Sequence, residues 1–166
     1  MTLRSPRDLF IYQLSAIHSA EQIKLQMLLQ MEQACQNPRI KQLFGDEIPE
    51  TQQQIVRVQE CFRLLGVQPM NVTSRAIDCV RQDAQQFMQQ GASQTIADLF
   101  SLETSLKVDH YEIAAYTELV GMARALGETQ VMSLLEENLH EEQHTSHEVE
   151  KLSRQLGAQV IQRMRP

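Results

Sequence analysis

The stretch SPRDLFIYQLSAIHSAEQIKLQMLLQMEQACQNP, residues 5–38, decides the fold. It begins with a helix-start signal, because Ser5 is a good N-terminal cap and Pro6 suits the first helical position. No glycine or proline follows until Asn37-Pro38, which repeats the signal. Apolar residues recur between the two signals at helical spacing. The stretch therefore predicts one long helix, to about residue 36, and the immediate start of a second.

The rest of the chain repeats this pattern of long helices and short links. Residues 67–94 hold Pro69 and Gly91 around a shorter amphipathic segment, which predicts a crossover containing a short helix. Short links give two antiparallel hairpins. We therefore expect an all-α four-helix bundle, a single domain over residues 1–166. The predicted long helices are residues 6–36, 38–65, 95–126 and 128–156, and the last three are followed by Gly66, Gly127 and Gly157.

Composition excludes several classes of function. The chain has 15 basic and 21 acidic residues and a net charge of −6, so nucleic acid is not an expected partner. No stretch approaches the roughly 18 apolar residues of a membrane span, and no signal peptide opens the chain, so no membrane association is expected. The three cysteines are widely spaced, which is typical of reduced thiols. We expect a cytoplasmic protein.

Each predicted long helix carries glutamate on its apolar stripe. At about 100° per residue, Glu21 lies within about 40° of Ile17 on the first helix. On the second helix, Glu47 lies nearer the middle of the stripe than Glu50 does. One acid from each helix lies about 12 to 15 residues from the linked end, so the hairpins bring these four to nearly one level. They are Glu21, Glu50, Glu112 and Glu142.

Four buried, ionised carboxylates require compensation by protons or by cations. Two divalent ions would cancel the charge, and ferritin-like bundles hold di-iron or di-manganese centres on acids that project inward from four helices. The sequence therefore predicts a ferritin-like bundle with two divalent ions, iron or manganese. The alternative is that these glutamates flank the stripe and reach water.

Four segments resemble the YciE/YciF-like bacterial stress proteins: SAEQ (19–22), ET..QI (50–55), KVDHYEIAAY (107–116) and LEENLHEEQ (135–143). The resemblance covers roughly residues 7–157. That family is ferritin-like, with a rubrerythrin-type bundle, a dimeric state and a dinuclear metal site. The resemblance implies a homodimer and a stress-related function that handles iron, oxygen or peroxide.

The resemblance also implies secondary candidate ligands. The family's inward acids fall on the same four glutamates, and its acid three residues before Glu112 is Asp109 here. Positions at which the family has histidine are occupied by Glu47 and Gln54. No Glu-x-x-His faces the core, which disfavours zinc and favours Mn²⁺, Fe²⁺ or Mg²⁺. Glu47, Asp109 and Gln54 are therefore secondary candidates.

Two residues leave the role of the acids open. Lys24 lies on the same helix face as Glu21, where its ammonium either replaces a metal ion or extends along the bundle to water. Pro49 lies beside Glu50 and is expected to kink the second helix. Lys24 and the absence of the family's histidines support a second hypothesis. In it, the chain is a non-enzymatic structural or interaction protein with a vestigial or metal-free site. These residues do not decide whether the chain is an enzyme.

Aromatic and histidine side chains lie close to the predicted acids. His18 and Tyr116 are candidate hydrogen-bond donors to a carboxylate. Alternatively, Tyr116 is an ordinary core residue. Three more histidines lie on the solvent side of the fourth long helix, where we expect no metal: His140, His144 and His147.

Overall fold

The computed structural model describes residues 3–163, and these residues form helices and no strand. The prediction of an all-α helical bundle with a crossover helix is confirmed. The predicted domain over residues 1–166 includes residues 1–2 and 164–166, which lie outside the described residues. Within the described part, no helix has the length and apolarity needed to cross a membrane. The helices are α1 (Pro6–Ala34), α2 (Pro38–Leu65), α3 (Arg75–Met88), α4 (Gln94–Leu126) and α5 (Thr129–Arg163).

The helix ends follow the local signals in the sequence. The backbone N–H of Asp8 donates to Ser5 Oγ, and the N–H of Ser5 donates to the Asp8 carboxylate, which completes a capping box at α1. Asn37 caps α2 through its side-chain oxygen. Gly66 and Gly127 end α2 and α4 with φ of 66° and 76°, a left-handed conformation that glycine adopts without strain.

The predicted end of the last helix at Leu156 is wrong. The helix α5 continues through Gly157 to Arg163. Gly157 is not among the glycines with positive φ, so its backbone stays helical. A glycine ends a helix when its backbone turns left-handed, and the segment AQVIQR that follows consists largely of helix-compatible residues.

The helices close into a bundle in which neighbours run antiparallel. The hairpins α1–α2 and α4–α5 pack together through α1–α4 and α2–α5 contacts, and α3 packs on α1 and α4. Residues 66–93 return the chain to the end of the bundle where α1 stops. There the backbone N–H of Asn37 donates to Asp98 Oδ2 at 2.9 Å. At the opposite end, Arg7 pairs with Glu128.

The bundle core contains two apolar clusters, and charged side chains lie near the middle of the bundle. One cluster includes Phe10, Val58 and Leu135, and the other includes Phe44 and Val149 near the opposite end. Burial of these side chains stabilises the fold on both sides of the charged residues. Six charged side chains between the clusters are at most 4 % exposed, and we call them the charged layer: Glu21, Lys24, Glu47, Asp109, Glu112 and Glu142.

The crossover helix provides a test of the packing. Ile77 is the buried residue of α3, and Ile77→Ala is expected to destabilise the protein by about 2–5 kcal/mol through a cavity. Amide hydrogen exchange, measured by mass spectrometry, should rise more in residues 75–88 than in α1 or α5. Gln86→Ala, on the exposed side of α3, is the control and should change neither quantity. A uniform rise across all five helices would contradict a locally anchored α3.

Candidate metal centre

The charged layer collects its side chains from all four helices of the bundle. Glu21 and Lys24 lie one turn apart on α1, and Asp109 and Glu112 lie one turn apart on α4. Side chains three residues apart share a face of a helix, so each pair points inward together. Glu47 comes from α2 and Glu142 from α5. The layer lies near the middle of each helix, at the common level that the sequence predicts.

The ammonium of Lys24 lies among the acids. Its Nζ donates to both carboxylate oxygens of Glu142, at 2.9 and 2.8 Å. It also lies 3.0 Å from Glu112 Oε2 and 3.2 Å from Asp109 Oδ1, and 4.0 Å from Glu47 Oε1. Of the two alternatives for Lys24, the structure therefore shows the one in which the ammonium neutralises acids in the interior.

Three carboxylates converge at a second point. One oxygen each of Glu21, Glu112 and Glu142 lies within 4.8 Å of the other two. Oxygen atoms at this separation can contact one divalent ion together, because ligand distances to such ions are about 2.0–2.6 Å. Glu112 and Glu142 thus face both Lys24 and this point, whereas Glu21 forms no ion pair with Lys24.

Neutral donors orient two of the converging carboxylates. Tyr116 Oη donates to Glu21 Oε1 at 2.5 Å, which places the tyrosine in the donor role that the sequence left open. Gln54 Nε2 donates to Glu142 Oε1 at 2.8 Å, so this secondary candidate ligand enters the layer as a donor. Both donors are fully buried.

Asn138 and Arg57 support the layer, and sequence reasoning missed both. Asn138 Nδ2 donates to Tyr116 Oη at 2.9 Å, and Asn138 Oδ1 accepts from Arg57 Nη1 at 3.0 Å. Arg57 also pairs with Glu141 at 2.7 Å, which ties α2 to α5 beside the layer. The signal that identifies Asn138 is its position four residues before Glu142, on the same face of α5.

The donor set fits a hard divalent cation. Buried carboxylate oxygens that accept no hydrogen bond include Glu21 Oε2, Glu47 Oε2, Asp109 Oδ2 and Glu112 Oε1, whereas Asp109 Oδ1 and Glu112 Oε2 pair with the ammonium. Such oxygens are costly unless a cation or a proton contacts them. Five carboxylates and one ammonium give the layer a formal charge of −4. Carboxylate oxygens without nitrogen or sulfur partners suit manganese, magnesium or iron.

Protons compensate the acids when no cation does. Burial is the main cause that raises the pKa of Glu21 to about 8 and the pKa of Asp109 to about 7. Burial likewise raises the pKa values of Glu47 and Glu112 well above the usual range. Burial lowers the pKa of Lys24, but the surrounding acids raise it more, so the ammonium keeps its charge.

Glu50, the fourth predicted ligand, lies at the edge of the layer. It is half-buried, and its Oε1 accepts a hydrogen bond from Thr145 Oγ1 at 2.9 Å. A cleft of about 470 Å³ between α2 and α5 is lined by Glu47, Glu50 and Thr145, and also by His144. The structure thus brings three of the four predicted ligands together and places Glu50 on the wall of a cleft that leads toward them.

The other residues singled out by the sequence stand outside the layer. His18 packs edge-on against Phe62, with ring centroids 6.0 Å apart, and its Nε2 has no hydrogen-bond partner. Pro49 lies within α2, which continues through it. The histidines expected on the solvent side of the last helix are exposed: His140, His144 and His147.

Comparison with known proteins shows similarity over nearly the whole chain. Residues 5–162 match the family model described as a domain of unknown function, DUF892. Protein YciF of Escherichia coli K12 is 29% identical over 150 residues, which cover 87% of this chain and 88% of that protein. The crystal structure of the Escherichia coli stress protein YciF matches with a TM-score of 0.89 and 26% identity, over 94% of this chain and 99% of that one. YcfI from Rhodopseudomonas palustris matches with a TM-score of 0.85 and 30% identity, over 89% and 94% of the two chains.

The raised pKa values predict how the chelated protein responds to pH. Between about pH 5 and pH 8, the folded state holds protons on Glu21 and Asp109 that the unfolded state has lost. The free energy of unfolding is therefore expected to fall as pH rises through this range. Thermal melts in a chelator, followed by circular dichroism at a series of pH values, measure the effect.

A matched pair of variants distinguishes the effect of the buried carboxylates on the pH profile from that of surface carboxylates. Glu112→Gln removes one buried titrating group and should flatten the pH profile of the melting temperature. Glu103→Gln, on the exposed side of the same helix, should leave the profile unchanged. A melting temperature that climbs steadily from pH 5 to pH 8 would contradict the raised pKa values.

Proposed function

The chain belongs to the family described as a domain of unknown function, DUF892, and we propose that it is a ferritin-like, stress-related protein whose charged layer binds a divalent metal ion. The convergence of Glu21, Glu112 and Glu142 carries the proposal, because three carboxylates from three helices meet within 4.8 Å. The formal charge of −4 in the layer favours the same conclusion. Manganese or iron is the proposed ion, since the donors are carboxylate oxygens.

The proposed role is the handling of oxygen, peroxide or iron. A bound iron or manganese ion supplies a centre that exchanges electrons with oxygen or peroxide. Tyr116 holds Glu21, and Gln54 holds Glu142, so the carboxylates keep their positions between the helices. Apolar side chains pack on both sides of the layer. The cleft beside Glu50 offers a route from solvent to the layer.

The cellular setting is part of the same proposal. The Escherichia coli relative is described as a stress protein, which supports a stress-related role for this chain. A homodimer, implied by the resemblance, would be identified by light scattering at about twice the chain mass of 19.1 kDa. A cytoplasmic location is supported by the cysteines, which are free: Cys35, Cys61 and Cys79.

One observation favours a second candidate function. Lys24 already places a cation among Asp109, Glu112 and Glu142, so the layer contains part of its own compensation. A protein of this kind would be a structural or interaction protein, and protons would neutralise the remaining acids. It would not respond to metal or to chelators.

Metal-dependent stability distinguishes the two functions. A saturating Mn²⁺ concentration of about 100 times Kd is expected to stabilise the protein by about 2.7 kcal/mol, which raises Tm by about 5–10 °C. Glu112→Gln should lose most of this shift because it removes a carboxylate that the ion would contact. Glu103→Gln, whose side chain is 58% exposed, is the control and should keep the shift. A Tm that neither Mn²⁺ nor anaerobic Fe²⁺ changes in the native protein would favour the structural function.

A further inference from the structure

Two cation positions in the charged layer share two acids. The first is the position of Lys24 Nζ, which lies within 4.0 Å of oxygens from four acids: Glu47, Asp109, Glu112 and Glu142. The second is the point at which Glu21, which forms no ion pair with Lys24 and therefore faces a different place, meets two of those acids, Glu112 and Glu142. Two cations that share carboxylates from several helices form the arrangement of a dinuclear carboxylate centre. In this chain, an ammonium stands at one of the two positions.

We propose that Lys24 permanently fills one of the two cation positions, so that the protein binds one divalent ion rather than the two that the acid pattern predicts. The inference rests on the proposed function, namely that the layer binds metal. It assigns Lys24 as the residue that determines how many ions the centre takes.

Distances exclude a metal ion from the position of the ammonium. Nζ lies 2.8–3.2 Å from oxygens of Glu142, Glu112 and Asp109. A divalent ion would need to bind the same oxygens at about 2.0–2.6 Å, and so would occupy the space that Nζ fills. The two cations therefore compete for one site.

Burial keeps the ammonium in place. Lys24 is 3% exposed, and the apolar clusters lie on both sides of the layer. Moving the ammonium away from its acids into those clusters would leave a buried charge without a partner, which costs several kcal/mol. The point near Glu21 is different, because Glu21 Oε2 and Glu112 Oε1 accept no hydrogen bond and remain free for a cation.

Metal stoichiometry tests the inference. The metal-free protein would be dialysed to equilibrium against Mn²⁺, and the bound metal would be measured by elemental analysis and by electron paramagnetic resonance. The native protein is expected to bind about one Mn²⁺ per chain, with the spectrum of an isolated ion. Lys24→Met, which keeps a flexible apolar stem and removes the charge, should bind about two, with the spectrum of a spin-coupled pair.

Control variants show whether a change in metal stoichiometry comes from loss of the Lys24 charge or from altered folding. Lys107→Met, at a lysine whose side chain is 52% exposed on α4, should bind metal as the native protein does. If Lys24→Met does not fold, Lys24→Gln takes its place, because it also removes the charge and keeps a polar side chain. This variant leaves Asp109 and the other acids around the ammonium intact, so it should also bind about two ions per chain.

The outcomes distinguish the inference from the proposed function. Binding of two Mn²⁺ ions by the native chain would overturn the inference and leave the proposed function intact. Binding of a single ion by a folded Lys24→Met or Lys24→Gln chain would also overturn it. Binding of no ion by any of these proteins would remove the proposed function, and the inference with it.

Discussion

The ion pairs between Lys24 and the acids around it are the interactions on which the middle of the bundle depends. Five carboxylates that are at most 4% exposed cannot remain together as free ions, because desolvation of each costs several kcal/mol. The ammonium removes part of that cost by contacting Glu142, Glu112 and Asp109 directly. Two apolar clusters supply the stabilisation that keeps the helices together around these charges. The carboxylates and the ammonium therefore lie among apolar contacts that hold the helices together around them.

Hydrogen bonds between helices give the layer its geometry. Arg57, Asn138 and Tyr116 form a chain of contacts that runs from α2 through α5 and α4 to Glu21 on α1. Each link joins two helices, so the orientation of Glu21 depends on the packing of the whole bundle. Because Asn138 also donates to the backbone oxygen of Gln54, the donor that holds Glu142 is connected to the same network. The triad is positioned by three-dimensional packing rather than by any single helix.

The sequence predicted the helices and the level of the acids better than it predicted individual side chains. The caps at Ser5 and Asn37 and the glycines that end α2 and α4 are local features that sequence patterns predict. The residues around Gly157 do not show whether that glycine ends a helix or lies inside one. Helical periodicity placed Glu47 nearer the middle of the apolar stripe than Glu50, but the level along the bundle and the family resemblance favoured Glu50. The structure buries Glu47 in the layer. The sequence could not predict where the Lys24 ammonium lies, because the conformation of a long side chain depends on the residues that pack around it. Asn138 was missed because a neutral amide in a polar stretch resembles a solvent-facing residue. Family resemblance identified Asp109, which is fully buried beside the ammonium.

Met31 packs against both apolar clusters, so the hydrophobic core continues alongside the charged layer. The four long helices therefore share one core with an ionic group embedded in it. Whatever neutralises that group, whether protons or a cation, stabilises the bundle as a whole, and the long helices are expected to unfold together.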